Sequence, residues 1–272
     1  MKKIILLACI ALIGFAFSKR NEVVVVDTAG KKVEFRKMEV NSFKKGEVLT
    51  YHLRYGFMDA GEAVLEIKDE TKTFGSRKAL HVVGTGNSKG TFDWFFKVRD
   101  RYESYIDEEA LFPWLFVRRI KEGGYTDSQD YFFNHYKNKV DVGGGKTFDI
   151  PTNTQDMISA FYEARCMDFT NAKYGDIFEA STCFVDNEVY PLKIKYVGKE
   201  TIKIGIGKFN CLKFRPVIQK GRVFKHEEDL TVWITDDKNH IPVRAEAEIL
   251  VGSIKMDLVS YSGLANPIAK AN

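Results

Sequence analysis

Residues 47–67 read EVLTYHLRYGFMDAGEAVLEI, and the pattern in them decides the fold. Leu49, Tyr51, Leu53 and Tyr55 alternate with Thr50, His52 and Arg54, the period of two that sends successive side chains to opposite faces of a strand. One face of such a strand is buried and the other is wet. Gly56 to Gly61 turns the chain, after which Ala63, Leu65 and Ile67 resume the alternation, so the stretch reads as a β-hairpin.

Comparable runs recur outward from this hairpin at 79–86, 101–107, 114–121, 129–142, 176–185, 190–197, 200–206, 209–218, 228–235 and 242–261. Together they give about a dozen strands at spacings of about 8 to 15 residues, the signature of an antiparallel sandwich, barrel or wrapped sheet. In the last run Val243, Ala245, Ala247, Ile249 and Val251 lie opposite Arg244, Glu246 and Glu248; beyond Gly252 the parity flips to Ile254, Met256 and Leu258. A bulge or sharp bend is expected at Gly252.

Two segments break the period. Thr152-Asn153-Thr154-Gln155 reads as a capping box before Met157, Ile158, Phe161 and Tyr162, which share one face of a helix ending near Cys166. Residues 91–98 fit a short helix or a buried strand equally well. The expected fold class is therefore mainly β, a long curved antiparallel sheet or open barrel packed around one or two short helices.

Apolar residues make up 44% of the 272 and charged residues 29%, with only 6 Pro, which excludes disordered and collagen-like chains. The 21 Phe favour sheets and supply apolar area for a core or a greasy pocket. The opening MKKIILLACIALIGFAFSKR places Lys2 and Lys3 before an apolar run from Ile4 to Phe17 and small residues at Ala16 and Ser18. This is the pattern of a signal peptide cut after Ser18 and of export to the periplasm, and the run is short for a membrane span. Leu6-Leu7-Ala8-Cys9 resembles a lipobox, but cutting before Cys9 would strand Ile10 to Phe17 in the mature chain, so lipoprotein anchoring is the weaker alternative. The expected division is a signal peptide at 1–18, an N-terminal arm at 19–44 able to add an edge strand, a single β-rich domain at 45–263 and a C-terminal tail at 264–272.

Without Lys2 and Lys3 the 41 basic residues fall to 39 against 37 acidic ones, a net charge of +2 that is no footprint for nucleic acid. The densest basic cluster, Arg118-Arg119 with Lys121, reads as a solvated strand face. Cys9 leaves with the leader, and Cys166, Cys183 and Cys211 cannot all pair within one chain. They lack metal-ligand spacing, as do His52, His81, His135, His226 and His240, so neither a metal nor a cofactor is expected.

Gly143-Gly144-Gly145-Lys146-Thr147 resembles the end of a phosphate loop, but Val140 stands where the motif needs glycine and Phe148-Asp149-Ile150-Pro151 cannot open the helix that must follow. No nucleotide is expected there. Asp236-Asp237 sits in a polar turn between two strands, where Asp serves local backbone hydrogen bonds. Hydrolase chemistry has no nucleophile elbow to rest on. What stands out is a surplus of rings at Phe92, Trp94, Phe95, Phe96, Phe112, Trp114 and Phe116, with Phe161 and Tyr162 on the expected helix. Core packing explains them, or else a hydrophobic cavity between sheet and helix, for which Trp94, Phe95, Trp114, Phe161 and Tyr162 are the candidate ligand-binding residues.

Two stretches carry a family resemblance. Phe95-Phe96-Lys97-Val98-Arg99-Asp100-Arg101-Tyr102-Glu103-Ser104-Tyr105-Ile106-Asp107 continues to Pro113 and Arg118-Arg119, and Leu230 to Asp237 continues through Ile241-Pro242-Val243 to Val251-Gly252-Ser253-Ile254. With Lys208-Phe209-Asn210-Cys211 and the Asp156 to Arg165 helix in order, the chain resembles the bacterial domain of unknown function 3108 family over about residues 45–260. The resemblance implies a β-rich exported protein of a Gram-negative envelope and carries over no catalytic residue. A curved sheet around a central helix is similar, by architectural analogy alone, to periplasmic lipoprotein carriers.

The leading expectation is a non-enzymatic periplasmic protein that binds an apolar or amphipathic ligand, such as a lipid or acyl chain, in a sheet-and-helix cavity. An envelope scaffold contacting a protein partner is the second, and an enzyme acting on an envelope polymer the third. A lipid binder should show a closed apolar cavity, a scaffold a filled core with an exposed apolar patch, and an enzyme converging polar groups in a cleft.

Overall fold

The computed structural model describes residues 21–26, 32–216, 230–248 and 252–271; the expected leader with Cys9, and His226, lie outside the described residues. Strands β1 (Asn21–Val26) and β2 (Lys32–Lys37) pair with each other alone. The main sheet opens with β3 (Val48–Tyr55), β4 (Met58–Phe74) and β5 (Arg77–Ser88). Helix α1 (Gly90–Phe95) follows, then β6 (Arg99–Asp107), β7 (Pro113–Glu122), β8 (Tyr125–Asn134), β9 (Lys139–Asp141) and β10 (Thr147–Asp149). After α2 (Met157–Arg165) come β11 (Ile177–Glu179) and a small hairpin of β12 (Cys183–Val185) and β13 (Glu188–Tyr190). The chain returns to the sheet with β14 (Lys193–Ile204), β15 (Gly207–Pro216), β16 (Leu230–Thr235), β17 (Pro242–Glu248) and β18 (Ser253–Ser262).

Fourteen of these strands form one antiparallel sheet in the order β10-β9-β8-β7-β6-β5-β4-β3-β18-β17-β16-β15-β14-β11. The hairpin legible in residues 47–67 lies near its middle, where β3 pairs with β18 from Val48↔Ser262 to Tyr55↔Ile254. The outermost strands β10 and β11 do not pair with each other, so the sheet is not closed. Alternation holds as read: Leu49, Tyr51 and Leu53 are buried at 0–4% exposure while their neighbours face outward.

The run 242–261 forms two antiparallel strands, with Glu248 opposite Ser253, so of the bulge or sharp bend expected at Gly252 the chain makes the bend. Gly252 stands at the start of the return with φ +82°, and a Cβ there would press to 3.2 Å on the Tyr55 ring, so its left-handed backbone serves a chain reversal. Helix α2 is capped by Asp156 and not by the Thr152 box: Asp156 Oδ1 accepts from the Ile158 and Ser159 N–H groups at 2.7 Å, while Ser159 Oγ accepts from Asp156 N at 2.9 Å. Asp with Ser three residues on makes the reciprocal geometry that the Thr/Gln template was taken to supply. Finally, α2 is buried at every position instead of along one stripe, as expected for a helix enclosed by the sheet and the β12–β13 hairpin.

Segment 91–98, ambiguous in sequence, resolves as the short helix α1 followed by a bend. Gly143 to Lys146 forms an exposed turn closed by a Lys146 N–H to Gly143 carbonyl bond of 3.1 Å, and a strand follows it. Asp237 spends its carboxylate locally, accepting from Thr235 Oγ1, Asn239 N and Ala269 N at 2.8–2.9 Å.

Candidate functional site

The five rings singled out in the sequence do not gather at one site. Trp114, 7% exposed, belongs to a small second core with Phe35, Ala79, Ala110 and Phe112, its indole N–H donating to Asp107 at 3.1 Å. Phe161 and Tyr162, 4% and 0% exposed, lie inside the main core beside Phe43. Trp94 and Phe95 stand on α1 with 89% and 55% of their surface in water.

Around Phe161 and Tyr162 some buried polar groups are paired, while the Tyr51 and Tyr162 hydroxyls and Glu163 Oε2 meet no hydrogen-bond partner among the described residues. Arg165, fully buried, pairs with Glu47 through Nη1 to Oε1 at 2.5 Å and Nη2 to Oε2 at 2.8 Å. Its guanidinium also donates to the Asn239 and Ser42 carbonyls and lies 5.3–5.6 Å from the rings of Phe43, Phe161 and Tyr162. Burial alone would lower the arginine's pKa, but Glu47 raises it further, so the ion pair persists. Burial pushes the Tyr51 and Tyr162 hydroxyls well above their ordinary values, leaving both neutral. Asp156 is pushed up to about 6 by burial against the opposing bonds from Ser104 and the helix N-terminus. These contacts lock a helix into a core.

One end of the sheet is different. The β3–β4 turn, α1 and the β7–β8 turn all lie there, and backbone bonds lace them together. Lys89 N–H donates to the Ala60 carbonyl at 3.1 Å, Gly123 N–H to the Lys97 carbonyl at 2.9 Å, and Gly56 N–H to the Ser253 carbonyl at 2.9 Å. Phe92 is the anchor of α1, 4% exposed and 6.3 Å from the Tyr55 ring. Phe96 packs against Gly123, where a Cβ would fall 2.5 Å from the ring, so that turn accepts only glycine. On this rigid base Phe57 is fully exposed and Met58 43% exposed beside Trp94 and Phe95. Among the described residues these four make the largest grouping of exposed large hydrophobics at one end of the fold. Sequence reasoning passed over Phe57 and Met58 because they fall in a turn; the signal was there, since apolar residues in a glycine-bounded turn have no core to face.

Beneath this aromatic end lies a buried polar cluster. Alternation along β7 turns Arg118 inward with Phe116 and Ile120, so it is 3% exposed and not on a solvated face as its charge suggested. It donates to Asp127 at 3.1 Å and Asp186 at 2.8 Å, whereas Arg119 points out and pairs with Asp130. Asp100 and Glu122, 3% and 4% exposed, lie within each other's electrostatic reach, and Asp100 Oδ2 meets no donor among the described residues unless Glu122 carries a proton. Asp100 Oδ1 already accepts from the Lys121 N–H at 2.9 Å. Two carboxylates can bond only if one holds a proton. Burial first and the Asp100 charge second push Glu122 up to about 8, so at neutral pH Glu122 carries that proton. Tyr131 is likewise pushed up to about 12 by burial.

Taken together, the fold is an open, barrel-like antiparallel sheet closed over a buried helix, with an aromatic end and, among the described residues, no cluster of side chains able to hold a metal ion. Residues 50–259 match the family described as protein of unknown function DUF3108, and the chain belongs to that family. No curated protein matches the sequence. Among solved structures, a β-barrel-like protein of domain of unknown function DUF1849 from Brucella abortus is 12% identical over 82% of this chain and 99% of its own, with a TM-score of 0.50. A protein described as exported, with a YmcC-like fold, from Bacteroides fragilis is 11% identical over 81% and 97%, TM-score 0.31. A protein described as a lipoprotein from Parabacteroides distasonis is 13% identical over 81% and 99%, TM-score 0.34. The first likeness shows the barrel-like fold alone.

Proposed function

We propose that this chain is a non-enzymatic protein of the bacterial envelope that engages an apolar or amphipathic ligand, a lipid or acyl chain, at the aromatic end of its sheet. The observation that carries the reading is the exposure of Trp94 and Phe95 beside Phe57 and Met58 on a framework tied by backbone hydrogen bonds. Exposed rings on a floppy loop would be incidental; rings held out by a built base are a surface for an apolar partner. In this reading residues 1–18 are removed on export and the mature chain begins at Lys19 in the periplasm. Trp94 and Phe95 make first contact with the ligand, while Trp114, Phe161 and Tyr162 hold the cores.

Titration of a lysolipid below its micelle concentration tests this directly. Trp114 and Trp233 are buried and Trp94 is exposed, so a saturable blue shift in emission lost in Trp94→Phe supports the reading. An unchanged spectrum contradicts it. A protein partner on the same surface is the second reading, favoured by the close burial of the side chains around α2; it predicts no lysolipid response.

A further inference from the structure

We infer that the aromatic end is a docking surface for an anionic lipid bilayer, which rests on the amphiphile reading above and names the physical form of its partner. The exposed parts of Phe57, Met58, Trp94 and Phe95 amount to roughly 600 Å² if a ring side chain presents about 200 Å². That is at the upper end for a monomer's apolar patch and short of the about 800 Å² per side of a stable protein interface. A second copy of the chain is therefore a poor occupant. A bilayer asks for no complementary shape: it takes protruding rings into its interface, where Trp sits at headgroup depth.

Charge favours the same occupant. Around α1 stand Lys89, Lys97, Arg99 and Lys121, against Glu62 and Asp93. The two carboxylates are taken by Lys89 at 2.8 Å and Arg99 at 2.7 Å. Lys97 and Lys121 are exposed with no ion-pair partner among the described residues. At the neighbouring turn Asp59, 3.3 Å from His52, leaves one exposed carboxylate against the two exposed lysines, since Arg54 reaches Asp257 at 3.8 Å. Cations bordering an apolar tip are the arrangement that anionic headgroups attract. The docked protein would stand with its strands running away from the membrane, the β4–β5 turn and Asp236-Asp237 at the far end.

Flotation of the mature chain with vesicles of phosphatidylethanolamine and phosphatidylglycerol tests this. The expected result is co-flotation, weakened at least about tenfold in a Trp94→Ala, Phe95→Ala double variant and unchanged in Ile177→Ala, which removes an exposed apolar side chain elsewhere. Lys97→Glu should weaken binding to these vesicles. Failure of the wild type to float, or equal flotation of the double variant, overturns the inference. A lysolipid titration on the same preparation separates the two claims. A lysolipid response without vesicle binding removes the bilayer and leaves the amphiphile reading standing, whereas vesicle binding without a lysolipid response removes the amphiphile reading instead.

Discussion

Replacing Glu122 by Gln should remove about 2 to 3 kcal/mol from the change in stability between pH 6 and 9 relative to wild type. In the folded chain Glu122 is pushed up to about 8, against about 4.3 for an unfolded glutamate. Because the folded value is the higher one, the folded state binds more protons throughout this interval, so stability is largest at low pH and is lost as pH rises through 8. From pH 6 to 9 the loss is about 2 to 3 kcal/mol, which for a domain of this size lowers Tm by about 4 to 12 °C. Asp156 at about 6 adds a small further loss. His135, pushed down to about 4, and His240, also pushed down by burial, act the other way near pH 6, where unfolded imidazoles still bind protons. The thiols of Cys166, Cys183 and Cys211, all pushed up by burial, add a loss toward pH 9. These contributions are common to wild type and variant. A glutamine amide donates to Asp100 at every pH, so from pH 6 to 9 the variant should lose about 2 to 3 kcal/mol less than wild type. The assay is urea unfolding of wild type and Glu122→Gln at half-unit steps. An equal pH dependence in the two proteins would refute the raised Glu122 pKa.

Phe161→Ala should cost the about 3 to 5 kcal/mol of a packed aromatic and leave lysolipid binding intact, measured by unfolding and Trp emission on the same sample. Glu47→Gln strands the Arg165 charge in a dry core and should destabilise by about 3 to 5 kcal/mol, read from the urea midpoint. Lys146→Ala, in an exposed turn, should change stability by no more than about 0.5 kcal/mol, with no nucleotide binding detectable by calorimetry in either protein.

The strands were legible because half-buried strands alternate, as Leu49 to Leu53 and Ala63 to Ile67 do on either side of the turn. Where a residue answers to a partner distant in sequence, local pattern was silent. Arg118 looks like a surface cation until Asp186, 68 residues away, is brought beside it. Glu163 and Arg165 are charged residues that local pattern on α2 could not place, and Arg36 and Glu47 meet them inside the fold. The candidate site was half legible: Trp94 and Phe95 were noticed as rings, while their exposure depends on Phe92 alone anchoring so short a helix. Grouping them with Phe161 followed from ring count, which carries no information about which face of which element a ring occupies.

Photo-crosslinking with an acyl chain bearing a diazirine, mapped by peptide mass spectrometry, tests the central claim most directly. Adducts should concentrate on Phe57, Met58 and the 90–96 segment, and should fall in the Trp94→Ala, Phe95→Ala variant. Adducts concentrated instead on the α2 peptide, residues 157–165, would place the ligand inside the sheet and contradict the account.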